Sequence, residues 1–405
     1  MSTQPSSGWR ERCRFILVLF VALRLMMLAT FPADNLTLYG DYPYYYELAR
    51  YSEQGYLPFI HYWSEHLPVF PFLSVGVYQL AQMLGGGYHV YVYLLGLVML
   101  AVGAGNLVLL MRLARRLRDE ETAERLGWVY SLLFVPLINT WWTFDELTAF
   151  TILLTLDLLL SGRERWSAVA MGLGGMTKLV PLLVFPAVMR SRPWRCWMVY
   201  GVIAAAVMVA VAAPLLVAGG EMARASFLSP AGRSSWETVW ALLDGNLHTG
   251  LLGSSANHFD PATATTPVGH PARVPEGVKL VLFGLVYGVV FWQADWRENP
   301  RRIVTLVCFT LVLFFLWSEG WSPQWQTFLF PLLLLVLPLR RSLLFILASS
   351  FVNLAEWPVL LSRGMNDWLY LTVGVRTALF VLLLIDLGGR LGASPRRGSV
   401  AVEQG

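Results

Sequence analysis

The chain has 405 residues, 56% of them hydrophobic and 14% charged, with a mean hydropathy of +0.55. Apolar runs near the roughly 20-residue bilayer length recur along it, so it reads as an all-α polytopic membrane protein with no separate soluble domain. The net charge of +4 comes from arginines clustered between those runs; it reports orientation and excludes a nucleic-acid partner.

The first apolar run, about 15–33, follows Arg10, Arg12 and Arg14 and lacks a small-residue cleavage site, so it reads as an uncleaved span. Further runs fall near 89–111, 126–142, 147–161, 196–218, 276–294, 303–317, 325–339, 343–361 and 368–388. The positive-inside rule places the tail before Arg14, the Arg112 to Arg125 loop, Arg163/Arg165, Arg190/Arg192/Arg195, Arg297/Arg301/Arg302, Arg340/Arg341 and Arg396/Arg397 in the cytoplasm. An odd number of crossings must then separate 34–67 from 112–125, so 68–87 is expected to be an outer-surface or re-entrant helix. The stretch 167–190 has arginines at both ends and is expected to enter and return as two short half-helices, broken near Lys178 and Pro181. Counting both, about twelve spans form one domain over 1–405. Its outer side carries a first loop with surface helices at 34–87 and a long loop at 219–275. The latter is rich in Gly, Ser, Thr and Pro and is expected to be irregular. Both termini fall inside, with a cytoplasmic tail at 389–405. Cys13, Cys196 and Cys308 lie at span ends or within a span and suggest neither an outward disulfide framework nor a thiolate metal site.

Asp41 follows the first span in Tyr39-Gly40-Asp41-Tyr42-Pro43-Tyr44-Tyr45-Tyr46. Just before a proline-started helix an Asp is an ordinary N-cap; a carboxylate outside an apolar bundle can equally take a proton from an attacking hydroxyl. Both readings stand, and Tyr45 shares the helical face behind it. Lys178, in Gly174-Gly175-Met176-Thr177-Lys178, is one of two lysines, the other being Lys279. An ammonium at the bilayer centre costs about 2.5–3.5 kcal/mol on insertion scales, so Lys178 should sit at a solvated tip, face an anion, or snorkel to the nearer interface. Arg24, within the first span, could hold a phosphate or pair with an acid such as Asp157 or Glu356. Glu65, His66 and Asp145 are oxygen and nitrogen donors near the outer face, which leaves room for a divalent cation without a spacing that specifies one. The six histidines all map to outer segments or an outer span end, where contact with water is the simplest account, with His66 the strongest exception. Ser322-Pro323-Gln324-Trp325 starts a late span, with Ser322 as a candidate cap and Gln324 facing a cavity.

Taken in order, these segments resemble the integral-membrane glycosyltransferases of the GT-C superfamily, and most closely their polyprenyl-phosphate-mannose-dependent mannosyltransferase-like branch. The matching stretches are Gly40-Asp41 with Tyr45 to Ala49, Gly55 to Phe59, Glu65-His66-Leu67-Pro68, Asp145, the glycine-rich Gly172 to Pro181, and Ser322-Pro323-Gln324. His66-Leu67 stands where the branch has an aromatic and a first proline, and no paired Asp-x-Asp accompanies Asp41. The resemblance implies inverting transfer of a hexose, mannose first, from a polyprenyl-phosphate sugar to a lipid or glycan hydroxyl on the extracytoplasmic face of the cell membrane. It implies Asp41 as base and Lys178, Arg24 and Gln324 on the donor phosphate, with Tyr45, Glu65, His66, Asp145 and Ser322 near substrate. No cofactor is required by this reading. The other functions open to such a sequence are a transporter or flippase of lipid-linked sugars and a non-catalytic assembly subunit.

Overall fold

The computed structural model describes residues 7–250, 254–292 and 299–392. Arg297, Arg396, Arg397 and most of the expected tail lie outside the described residues, whose regular structure is helical, with two isolated bridges and no strand among them. In chain order the helices are α1 (Ser7–Thr30), α2 (Ala33–Thr37), α3 (Tyr42–Arg50), α4 (Val69–Met83), α5 (Tyr88–Leu117) and α6 (Glu120–Leu132). Next come α7 (Phe134–Asn139), α8 (Asp145–Leu160), α9 (Glu164–Gly175), α10 (Phe185–Ser191), α11 (Trp194–Gly219) and α12 (Glu221–Leu228). The chain closes with α13 (Val239–Asp244), α14 (Glu276–Trp292), α15 (Pro300–Trp317), α16 (Gln326–Val336), α17 (Leu339–Leu354) and α18 (Leu369–Gly392).

Six of these are long and apolar enough to cross a membrane: α1, α5, α11, α15, α17 with its continuation to Arg363, and α18. The protein is a multi-pass, all-α membrane protein. Apolar side chains cover the outside of the bundle, including Val202, Val209 and Val217 on α11 and Val281, Leu285 and Val289 on α14, as a lipid-facing surface requires. The core lies where α8, α5, α15 and α16 meet. Helix α16 is buried along Gln326 to Leu335, and an apolar helix enclosed on all sides needs no polar face.

The breaks have local causes. The run expected as one span at 126–142 is two helices, because Leu133 adopts extended backbone (ψ 129°) just ahead of Pro136, whose ring and missing N–H would disrupt a continuous helix. Helix α4 has 15 residues, about 22 Å at 1.5 Å per residue, too short for a roughly 30 Å hydrocarbon core, and it packs on α3 and α5. Helix α9 stops at Gly175, and a 3-10 turn over Val180–Val184 resumes after Lys178, giving the divided hairpin expected at 167–190.

The arginine-rich ends gather together. Arg112 and Arg116 both bind Asp157 (2.8 and 3.1 Å), Arg12 binds Glu124 (2.6 Å), and Arg301 donates to the Leu117 carbonyl (2.9 Å). At the opposite end, the 31–68 segment packs with the 139–145 turn and the 220–275 segment, and the latter binds the 318–325 turn. The 220–275 segment is more ordered than its composition suggests: α12, α13 and several 3-10 turns build it, and Trp63 anchors into it through Asn257 and Thr263 (3.2 and 3.0 Å).

Candidate active site

Three segments bring Asp41 to its place. Gly40 lies so close to the 139–142 turn that a Cβ there would stand 2.5 Å from the Trp142 Cα, and this contact lets the Asp41 amide donate to the Trp142 carbonyl (2.8 Å). Tyr42 donates to the Thr140 carbonyl (2.8 Å), Trp142 to the Leu36 carbonyl (2.9 Å) and Trp357 to the Tyr39 carbonyl (2.8 Å). Asp41 occupies the N-cap position of α3, yet its carboxylate makes no capping bond. Instead Oδ2 accepts the Tyr45 hydroxyl (3.1 Å), and the carboxylate borders a cavity of about 120 Å³. Gln324, Ser322, Gln326, Glu237, Asn353 and Trp357 line the same cavity. Burial pushes the Asp41 carboxyl up to about 6; Asp145 adds to the rise, while the Tyr45 hydrogen bond, Lys178 and Arg233 oppose it.

Lys178 sits at the α9 break, its amide bonded to the Gly174 carbonyl (2.9 Å). The Val69 amide donates to the Met176 carbonyl (3.1 Å), tying α4 to this break. The ammonium binds Asp145 Oδ1 at 2.7 Å and lies 5.5–5.7 Å from the ring centres of Trp325, Phe144 and Phe328. It therefore faces an anion, one of the three placements the sequence left open, inside an aromatic cage. Asp145 is the partner that fixes it. Ser322 stands at the N-cap of the Pro323 turn, makes no side-chain capping bond, and borders the cavity beside Gln324.

His66 stacks edgewise on Phe144 (5.0 Å) and Tyr45 (5.5 Å), which places it behind the Asp41–Tyr45 bond. Burial and the cations Arg233 and Lys178 hold its imidazole well below the usual range, so it is neutral. Glu65 lies between His66 and Arg233: Oε1 is 3.5 Å from His66 Nε2 and Oε2 binds Arg233 at 3.1 Å; burial raises its carboxyl to about 7, against the pull of Arg233.

Arg24 does not reach the cavity. Its guanidinium is fully buried over the Phe20 ring (3.4 Å), reaches Thr140 Oγ1 at 3.4 Å, and has Glu146 as its acidic neighbour. The acids suggested as its partners are occupied elsewhere: Asp157 by Arg112 and Arg116, and Glu356 by Arg376 (2.5 Å). His258 also departs from the surface account: it is buried, stacks on Trp63 at 4.0 Å, and bridges the Trp63 carbonyl and the Tyr44 hydroxyl (both 2.7 Å). The sequence reading passed over Arg233, Glu237, Asn353 and Trp357. Arg233 carried a usable signal, a cation in a segment that charge counting placed on the arginine-poor side. Glu237 and Asn353 carried none, since their neighbours come from distant parts of the chain.

No group of three or more His, Cys, Asp or Glu side chains able to hold a metal ion occurs among the described residues. Asp145 is committed to Lys178 and Glu65 to Arg233, so the donors present do not form a metal cradle.

The sequence pattern of glycosyltransferase family 87 matches residues 71–318. The chain belongs to glycosyltransferase family 87. With its long apolar helices, it is a multi-pass membrane member of that family. No curated protein matches it in sequence. Among solved structures, the oligosaccharyltransferase of Archaeoglobus fulgidus in the apo form aligns with 94% of this chain and 55% of its own, at 14% identity and a TM-score of 0.46. The same enzyme tethered to an acceptor peptide containing the NVT sequon aligns with 96% and 56%, at 13% identity and a TM-score of 0.44. The family 87 chain spans about half the length of these structures.

Proposed function

We propose that this family 87 protein transfers a hexose, mannose in the first place, from a polyprenyl-phosphate sugar to a hydroxyl of a lipid or glycan acceptor on the extracytoplasmic face, with inversion. The observation that carries the reading is Asp41: a carboxylate at a helix start that leaves capping unused, borders a cavity and lies within electrostatic reach of a caged lysine. With a proton affinity lifted toward neutrality it suits general-base work, accepting the proton of the attacking hydroxyl as the new C–O bond forms. The bond from the anomeric carbon to the donor phosphate breaks on the opposite side, and the phosphate leaves as an anion. Lys178, oriented by Asp145, does not border the cavity but acts electrostatically on Asp41 and would supply a cation to that charge, while Gln324 and Ser322 supply polar contacts from the facing turn. A membrane-borne donor accounts for the apolar walls, with Val135, Ile138 and Leu354 bordering the cavity. Tyr45 and His66 position the base, and Arg24 has no part in phosphate binding here.

The test is incubation of purified protein with radiolabelled polyprenyl-phosphate sugars and membrane extract, followed by product identification. Wild type should yield a glycosylated product, and Asp41→Asn should lower its rate by about a hundred- to ten-thousand-fold while keeping the same melting profile. Undiminished transfer by a folded Asp41→Asn protein would remove Asp41 from the mechanism. Uptake of intact lipid-linked sugar without product would replace transfer with transport.

A further inference from the structure

Two acids from distant parts of the chain meet at the cavity wall. Glu237 lines the cavity, and Glu356, fully buried, lies within hydrogen-bonding reach of it. We propose that the two carboxyls share a single proton, and that this joint positions the two cavity walls that carry Asp41 and Gln324; the positioning half rests on the transfer reading above. The hydrogen bonds call for the proton. Glu356 Oε1 accepts Arg376 (2.5 Å) and the Gly250 amide donates to the Glu237 carboxyl, but Oε2 of each acid is buried and meets no donor among the described residues. Ionised carboxylates only accept, so two in contact can bond only when one carries a hydrogen. Charge gives the same answer. Arg376, almost fully buried, is the cation that faces the pair, and it balances one carboxylate. A second ionised carboxylate there would be a buried charge without a partner. The other nearby acids are engaged: Asp244 accepts Ser235 and the Arg273 amide (2.6 and 2.7 Å), Glu319 accepts Lys279, and Asp41 accepts Tyr45 elsewhere on the cavity lining. Burial and Glu356 hold the Glu237 carboxyl well above its usual range, against the pull of Arg376.

Both acids are held by the segments that build the site. Glu237 has left-handed backbone (φ 51°), which a non-glycine residue adopts only where its surroundings impose it. The imposing bonds are plain. Its carbonyl accepts Arg376; on either side of it, the Trp236 amide and the Thr238 hydroxyl donate to the Glu319 carbonyl (3.1 and 2.8 Å), and the Trp321 amide returns to the Trp236 carbonyl (3.1 Å). Glu237 is thereby pinned to the turn that runs on into Ser322 and Gln324. Glu356 sits in a π-helical turn, Ala355–Leu360, containing Pro358, which lacks the N–H of a regular helix bond; turns of this kind are frequent at functional sites. The next residue, Trp357, donates to the Tyr39 carbonyl (2.8 Å), two residues before Asp41. The shared proton therefore links the turn that carries Gln324 to the loop that carries Asp41. Its loss sets two negative charges against each other and pushes these walls apart.

The experiment uses the full chain in lipid nanodiscs. Infrared difference spectra, recorded above the range in which Asp41 and Glu65 titrate, compare the protonated-carboxyl band of wild type with those of Glu237→Gln and Glu356→Gln. Either substitution should remove the same band, because the acid left behind ionises against Arg376 while the new amide donates to it. A band that survives either substitution overturns the shared proton. Melting temperature gives a second reading. A proton bound only in the folded state is lost as pH rises, so the advantage of Glu237→Gln over wild type should be absent below 4.5, the ordinary glutamate value, and grow beyond it, still growing past about 6 where Asp41 has ceased to contribute. An advantage that stops growing there also overturns it. In transfer assays Glu237→Ala, which keeps neither proton nor hydrogen bond, should lower kcat about tenfold at neutral pH with little change in KM. Glu237→Gln keeps the hydrogen bond without a titrating proton, so it should restore kcat and hold it level at alkaline pH where wild type declines. A shared proton seen in the infrared with kcat untouched by Glu237→Ala overturns the positioning role. Transfer absent from wild type, with the infrared band behaving as stated, overturns the transfer reading and the positioning role with it, while the shared proton stands.

Discussion

Asp41 sits at a helix start, and only coordinates could show that its side chain is free of the capping duty its position suggests. Its pH behaviour separates the two duties. Folding raises its proton affinity, from an ordinary 3.8 to about 6, so the folded state binds more protons than the unfolded one between those values. Stability therefore falls as pH rises from about 4 to about 6 and stays lower above that range, the opposite of a capping carboxylate. Asp41→Asn should be at least as stable as wild type at pH 7, with the difference vanishing below pH 4, as read by thermal unfolding in detergent. A base must be ionised to work, so wild-type kcat/KM should rise with pH through about 6 and level off above it. At this scale Asp41, Lys178, Gln324 and Ser322 were legible as candidates, because each is a polar residue beside a helix-breaking proline or glycine in an apolar chain. Arg233 carried a charge signal that the reading passed over, and Glu237 carried none, because its charged neighbours, Glu356 and Arg376, lie far along the chain.

Among the elements, the break between α9 and the following turn is held by a charge pair, and that pair makes Lys178 harder to interpret by simple deletion. Lys178→Met leaves Asp145, which is almost fully buried, without its counter-charge and should cost on the order of 2 kcal/mol, part of the usual penalty being offset by the ammonium's partial exposure. The double variant Lys178→Met/Asp145→Asn removes both charges and should recover most of that loss in thermal unfolding. If Lys178 serves the leaving phosphate, transfer stays low in the double variant; recovery of transfer along with stability would leave the lysine a structural role alone. Gly40 makes the corresponding case for the 36–42 loop. In Gly40→Ala the new methyl meets the Trp142 backbone, where no flexible side chain can yield, so the loop must shift. Overpacking of this kind costs about 1–3 kcal/mol, and a displaced base of this type costs up to about a hundredfold in rate. Steady-state kinetics should show kcat falling while α4 and α5 keep their packing. The apolar runs were legible at this scale because periodic burial and bilayer length leave a plain mark. The 220–275 segment was not, since its order comes from docking onto Trp63 and the 318–325 turn rather than from its own composition.

Across the whole molecule, arginines gather at one end, and that asymmetry predicts which side the cavity faces. Arg12, Arg112, Arg116 and Arg301 meet at one end, each in contact with an acid or a carbonyl of a neighbouring helix, while the cavity opens at the other. Positive residues are retained on the cytoplasmic side during insertion, so the cavity end should be extracytoplasmic. Single cysteines test this once Cys13, Cys196 and Cys308 are replaced by alanine: Glu47→Cys lies exposed on α3 at the cavity end, and Glu121→Cys lies exposed on α6 at the arginine end. In intact cells a membrane-impermeant maleimide should label the first and spare the second, and lysis should expose both. The reverse pattern would turn the molecule over and put Asp41 in the cytosol, where a donor displayed on the far leaflet could not reach it. Labelling of both in intact cells would mean that the arginine end crosses as well, which four paired arginines make costly, and would remove the charge argument on which sidedness stands.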